Sequence, residues 1–299
     1  MSMLAGCSGD SSARHESVVA LLGAHAGEKD AKIIIRRLAR EKIAYAKAHG
    51  WRGPAFCPKV FTGLFGIRCK EVHHDIGGEG RILPYEDGKI WIEYRSQRLP
   101  ERQRFTIFHE FAHTLFPDFC KFVPHHHSGA KVKEPEKEFE HLCDVAASEM
   151  LLPLENFRED IASVPRICVG QINLLSGRYQ ASIDATIHRF IDLFDIVPCA
   201  AVFLTDQKAN HSGYGPLWTK YSLRNVLFKG YISPGVMPPK GSVALHCYTN
   251  GNQLTTPTKE TWWINGKPRS WLVQAAKLPE VQDNAEYSKV VVLLLPSGY

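Results

Sequence analysis

The residues best suited to chemistry lie between Arg104 and Pro117, where the chain reads R-F-T-I-F-H-E-F-A-H-T-L-F-P. This is H-E-x-x-H inside an apolar helical pattern. Histidines at i and i+4 leave one helix face about 6 Å apart along the axis, so His109 and His113 can direct both imidazoles at one zinc ion. Glu110, beside the first histidine, is then placed to take a proton from an activated water. With 14 His in the chain, the pattern arises by chance in roughly one such chain in twenty-five. A third ligand therefore decides, because catalytic zinc usually has three protein ligands and one open position. The longer pattern with G-x-x-H further on is excluded, since those positions are Phe116 and Phe119. Downstream, Glu140-His141-Leu142-Cys143-Asp144 places two carboxylates on one face of an expected helix. Glu140 is the expected third ligand, and Asp144 the carboxylate that orients a ligand histidine through its other ring nitrogen. The alternative is a charged solvated face, as expected for Glu134, Glu136 and Glu138.

Other chemistry-bearing residues carry two readings each. Cys120 lies seven residues past His113, where a loop could return its thiolate to the open zinc position as an inhibitory fourth ligand; burial as an apolar cysteine is the alternative. His125-His126-His127 point in different directions and read as a solvated loop. Gly77-Gly78-Glu79-Gly80 lacks the Lys-Ser/Thr of a phosphate-binding loop and reads as a flexible connection. In the last third, Lys220, Arg224, Lys267 and Arg269 interleave with Tyr221, Tyr231, Trp262, Trp263 and Trp271, the chemistry of single-strand binding, unless those aromatics form the core.

The elements that would position these groups follow from periodicity. Helices are expected over Glu16 to Ala24, over Asp30 to about His49, over Pro100 to about Phe116, and over Glu134 to Leu152, stopped by Pro153. Ile67 to Val72 reads as a strand. Arg81 to Tyr85 and Lys89 to Tyr94 read as a hairpin around Asp87-Gly88, with Ile90 to Tyr94 as an edge strand able to take an extended peptide, Trp91 foremost. Short helices fill 154 to 194, the last capped by Ser182. From Ile196 the pattern turns to β-like runs, Val197 to Leu204, Ser242 to Tyr248, Thr261 to Ile264 and Lys289 to Leu295. The expected organisation is a disordered tail (1–13), a catalytic domain (14–159), a helical segment (160–195) and a C-terminal domain (196–299), together an α+β protein.

Composition bounds the class. In 299 residues, 44% are apolar and 22% charged, which is ordinary globular usage and excludes a fibrous or wholly disordered chain. No apolar run reaches the roughly 18 residues of a membrane helix. The net charge of +5 lies in residues 200 to 299, with ten Lys/Arg against five Asp/Glu, while residues 1 to 199 hold 26 of each. Eight cysteines without a C-x-x-C pair fit reduced thiols and a cytoplasmic protein. Leu4-Ala5-Gly6-Cys7 spells a lipoprotein cleavage box, but no basic or apolar stretch precedes it, so no signal peptide is expected.

Two blocks together, Phe105 to His113 and Glu140-x-x-Cys-Asp-x-Ala-Ala-x-Glu-Met-Leu-Leu-Pro153, resemble the ImmA/IrrE family of zinc metallopeptidases, over about residues 15 to 195. The resemblance implies a zincin-like core with His109, His113 and Glu140 on Zn2+ and Glu110 as base. It also implies a helix-turn-helix-like segment after the core and a C-terminal domain similar to GAF sensors. The family's usual Ala-Asn is Cys143-Asp144 here, with Ala146 in place of its Phe. The expected activity is cleavage of a helix-turn-helix repressor on a stress or phage signal, with single-stranded DNA as candidate activator. The alternative is a DNA-binding regulator whose metal site is structural or inactive.

Overall fold

The computed structural model describes residues 14–84, 89–119, 134–163, 168–207, 214–251, 255–278 and 290–298. The chain divides into two compact units, Met1–Leu154 and Glu155–Tyr299. Both mix helices with a sheet, in keeping with the expected α+β class.

In the first unit, helix α1 (Glu16–Ala24) begins at His15, whose ring nitrogen accepts from the Ser17 N–H. Helix α2 (Ala31–Ala48) is capped by Asp30, which accepts from the Lys32 N–H at 2.8 Å. Its buried stripe, Ile34, Ile35, Ala39, Ile43 and Ala46, keeps the three- and four-residue spacing of an amphipathic helix. Tyr45, on the same helix, is exposed and stacks on His49. Helix α3 (Pro58–Leu64) leads into strand β1 (Arg68–Val72), followed by β2 (Gly80–Pro84) and β3 (Ile90–Arg95). The strand order is β1-β3-β2, with β1 parallel and β2 antiparallel to β3. The strand expected at the edge is therefore central, because β1 returns to pair with its far side. β1 and β2 are the edges instead. Trp91 lies half-buried beneath the Arg68 guanidinium, 5.5 Å from the ring centre.

Helix α4 (Pro100–Ala112) opens on a proline at its first turn, where the missing N–H costs nothing. It tightens into a 3-10 turn over His113–Leu115, short of the expected end at Phe116. Phe108 and Phe111 are buried and meet Phe61 edge-on, at 5.5 and 5.1 Å between ring centres, with Trp51 beside Phe61. Two buried phenylalanines contribute about 1.5 to 3 kcal/mol each. They fix the rotation of α4, so that His109, Glu110 and His113 face the other way. That face meets helix α5 (Glu134–Leu151). Behind α5, the fully buried Glu149 carboxylate accepts from Arg40 Nε of α2 at 2.9 Å and from Nη2 at 3.4 Å.

The second unit holds helices α6 (Leu154–Ala162), α7 (Val169–Tyr179) and α8 (Ile183–Leu193), then strands β4 (Ala200–Gln207) and β5 (Tyr214–Arg224), helix α9 (Val243–Asn250), and strands β6 (Thr258–Ile264), β7 (Lys267–Lys277) and β8 (Val290–Pro296). The helices expected as a separate segment over 160–195 thus belong to the same unit as the C-terminal sheet. Ser182 caps α8, accepting from the Ala185 N–H. The five strands run in the order β5-β4-β8-β7-β6, all neighbours antiparallel. One face carries Val202, Leu204, Trp262, Trp271, Val273 and Val292 against Ala244 and Cys247 of α9. Ser242 to Tyr248, read as β-like, is this helix. Ser242 caps it and Gly251, at φ 69°, ends it, signals that a short apolar run conceals. Among the described residues, no helix is long and apolar enough to cross a membrane.

Candidate metal centre

α4 and α5 bring His109, His113 and Glu140 together. One ligating atom from each lies within 4.8 Å of the others, close enough for one ion to take all three. The positions come from two helical periods, the four-residue step of the histidines on α4 and the placement of Glu140 one turn before Asp144 on α5. His109 Nδ1 donates to Asp144 Oδ1 at 2.9 Å, and His109 Nε2 lies 3.0 Å from Glu140 Oε2. His113 Nδ1 lies 3.6 Å from Cys143 Sγ, and both residues are buried.

These distances test whether the donors suit a cation. A neutral imidazole carries one N–H, so it can donate to one carboxylate only. The His109 ring faces two. Burial pushes its protonated form down, but the hydrogen bonds to Asp144 and Glu140 and the charge of Glu110 outweigh burial and hold its pKa at about 10. The surroundings thus demand positive charge at Nε2, which a divalent ion can supply in place of the proton. Two imidazole nitrogens and a carboxylate oxygen form the mixed donor set that zinc accepts, with a coordination position left over for water or substrate. The residues fit the metal that their spacing predicts.

Glu110 is held for a different task. Burial pushes its carboxyl up, the charge of His109 pulls it down and Glu140 pushes it up again, while the backbone N–H of Ile82 favours the carboxylate, leaving a pKa of about 7. Its Oε2 is 4.0 Å from His113 Nε2. A carboxylate that exchanges protons near neutrality suits a general base. The Ile82 contact also fixes the orientation of β2, because an N–H that reaches Glu110 points away from β3. Among the described residues no strand pairs with that side of β2, which runs past the base.

Gly80 is a site residue that sequence reasoning did not find. A Cβ there would sit 2.5 Å from Thr106 Cγ2 and 3.1 Å from Glu110 Cγ, so only glycine lets β2 cross α4 this closely. The four-residue glycine run was the signal, read as a flexible connection because a close approach between elements leaves no local mark. Cys143 was also missed. At i+3 from Glu140 on a packed helix, it reads as ordinary core.

Cys120 and His125 to His127 lie outside the described residues. Lys220 and Arg224 sit on the edge strand β5, Lys220 at an irregularity in its pairing with β4. An Arg224 N–H donates to the Gly230 carbonyl. Lys267 and Arg269 lie on β7, three strands away across the sheet. Strand spacing and rise put Arg224 and Arg269 about 20 Å apart. Lys267 and Arg269 pair with Ile264 and Trp262, hence face their side of the sheet, whereas the exposed Trp263 faces the other. Trp262 and Trp271 are core. On α8, the exposed Asp184, His188 and Asp192 give a face poorly suited to a phosphate backbone.

No protein-family model and no curated protein matches the chain. Among solved structures it resembles a Mycobacterium tuberculosis transcriptional regulator, at 15% identity and a TM-score of 0.56, over 94% of this chain and 80% of that one. At that identity the likeness is one of fold: a mixed α+β architecture extends over nearly the whole chain.

Proposed function

We propose that the chain is a zinc-dependent endopeptidase of the ImmA/IrrE type, acting on a helix-turn-helix transcriptional repressor. The observation that carries the reading is the pairing of a three-donor cluster, His109, His113 and Glu140, with a half-buried carboxylate, Glu110, beside it. A structural zinc site prefers four protein ligands and has no use for such a base. Zinc, when bound by the three donors, supplies Lewis acidity to polarise water and the scissile carbonyl. Glu110 accepts the water proton and passes it to the leaving amine nitrogen. Asp144 holds the His109 ring. The free edge of β2 offers backbone groups to an extended substrate, and Pro84, lacking an N–H, closes that edge at its far end. The architectures proposed with this activity are a zincin-like core and a GAF-like sensor, the latter favoured by a five-stranded antiparallel sheet with helices packed on it.

A second reading, a DNA-binding regulator with an inactive metal site, is favoured by the name of the solved relative. The two meet in part, since a peptidase that removes a repressor regulates transcription. The acidic face of α8 speaks for the peptidase. Single-stranded DNA stays a candidate activator, its cations Arg224 and Arg269 standing about 20 Å apart on the sheet. A cytoplasmic site of action suits a repressor substrate. The decisive experiment incubates the purified chain with the repressor encoded beside it, with and without single-stranded oligonucleotides, and repeats this with Glu110→Gln. The variant should bind zinc as the parent does and cleave nothing. Undiminished cleavage by Glu110→Gln refutes the mechanism, and absence of cleavage by the parent under every condition favours the regulator.

A further inference from the structure

Consecutive residues of α5 face the two histidine rings of α4. Asp144 accepts from His109 Nδ1 at 2.9 Å, and Cys143 Sγ lies 3.6 Å from His113 Nδ1, within the longer reach of a hydrogen bond to sulfur. Glu140, Cys143 and Asp144 stand at i, i+3 and i+4, so one face of α5 presents a ligand and a contact to each ligand histidine. Cys143 is fully buried and His113 nearly so.

We propose that Cys143 is the positioning residue of His113, its sulfur accepting the Nδ1–H and thereby turning the Nε2 lone pair toward the donor cluster. The inference rests on the zinc reading and extends it. For a histidine to ligate through Nε2 its proton must sit on Nδ1, and a partner for that proton fixes both tautomer and ring rotation. Carboxylates usually fill this role. Here three already crowd the site, Glu110, Glu140 and Asp144, and a fourth would add an unpaired charge to a buried pocket. A thiol orients the ring without one. Sulfur is a weaker acceptor than a carboxylate, so the two histidines differ in kind: His109 is held by a charge-assisted bond, His113 by a softer contact. The His113 ring also tilts against Phe139, with 5.2 Å between centres, which supplies a packing alternative that experiment must separate.

The test measures zinc affinity of the full chain by competition with a chromophoric chelator, together with the visible spectrum of the cobalt(II)-loaded protein. Cys143→Ala, Cys143→Ser, His113→Ala and, as a control, Cys199→Ala from the other unit are compared with the parent. Cys143→Ala should weaken zinc about tenfold, the lower end for losing a ligand's partner. It should shift the cobalt spectrum while leaving the apo-protein circular dichroism unchanged. Cys143→Ser should lie between, because a hydroxyl still accepts but from a shorter arm. Cys199→Ala should change neither readout. Zinc affinity of Cys143→Ala within twofold of the parent, with an unaltered cobalt spectrum, overturns the inference and leaves the zinc reading standing. If Cys143→Ala does not fold, parental affinity and spectrum in Cys143→Ser overturn it equally. A parent without stoichiometric zinc binding that depends on His113 overturns both.

Discussion

Replacing Asp144 by alanine is the sharpest perturbation of the metal centre that spares its ligands. The side chain contributes one hydrogen bond, from His109 Nδ1 at 2.9 Å, and is about half exposed at 52%. Hydrogen bonds to charged groups are worth about 1.5 to 3 kcal/mol, and exposure favours the lower figure through solvent screening. A loss of about 1.4 kcal/mol is a factor of ten in the zinc Kd. The fold should not suffer, because α5 is held by the buried Leu142, Ala146 and Met150 and by the Arg40–Glu149 pair, whereas the Asp144 side chain bonds His109. The expected outcome is zinc affinity lowered about tenfold, with an apo-protein melting curve like the parent's. Asp144→Asn should fall short of that loss, since its carbonyl still accepts the Nδ1–H. The assay is chelator competition at fixed pH, with Glu140→Ala as the reference for losing a ligand outright. An Asp144→Ala affinity within twofold of the parent would refute the orienting role and make the residue a surface charge.

Gly80→Ala should reduce cleavage at least tenfold while zinc affinity stays within about threefold. The new Cβ displaces Thr106 and Glu110, not the ligands. Adding Thr106→Ser removes the methyl group that the Cβ strikes and should restore part of the rate; equal activity of Gly80→Ala and parent would mean that β2 accommodates a side chain there. Asn225→Asp should destabilise the second unit by about 3 kcal/mol or more. Its amide donates to the Phe194 and Val197 carbonyls and accepts from the Cys199 and Phe228 N–H groups, and a carboxylate cannot serve the two carbonyls. A urea midpoint unmoved by that change would show that the loops it ties have other support.

What the sequence disclosed divides by the range of the interaction involved. His109, Glu110 and His113 were legible because one helix fixes their relation, and Glu140 with Asp144 for the same reason. That the two helices face each other was not local information. It came from Phe108 and Phe111 turning the opposite side of α4 inward, against an aromatic cluster drawn from Trp51 and Phe61. Strand order was hidden in the same way. The hairpin of β2 and β3 was readable, but nothing near Ile90 announced that β1 would take its other side and leave β3 central. The cation and aromatic alternation of the C-terminal third is spread over several strands in space. The two-residue period of a strand sends Trp262 and Trp263 to opposite faces, and the strand order sets β5 and β7 three positions apart.

The same contrast explains why α5 carries so much of the site. A zinc centre built from two helices needs the first to present two rings and the second to supply a third ligand and settle the orientation of both. An α-helix offers i, i+3 and i+4 on one face, and α5 fills these with Glu140, Cys143 and Asp144. Each ring then depends on a different one of two adjacent side chains, so a small rotation of α5 about its axis moves both partners and the ligand together. Glu149, two turns beyond and fully buried, bonds Arg40 and resists such a rotation. Breaking that pair removes one of the contacts that hold a buried carboxylate in place, and so loosens the helix. The consequence reaches the metal through helix orientation alone, without any contact between Arg40 and the three ligands.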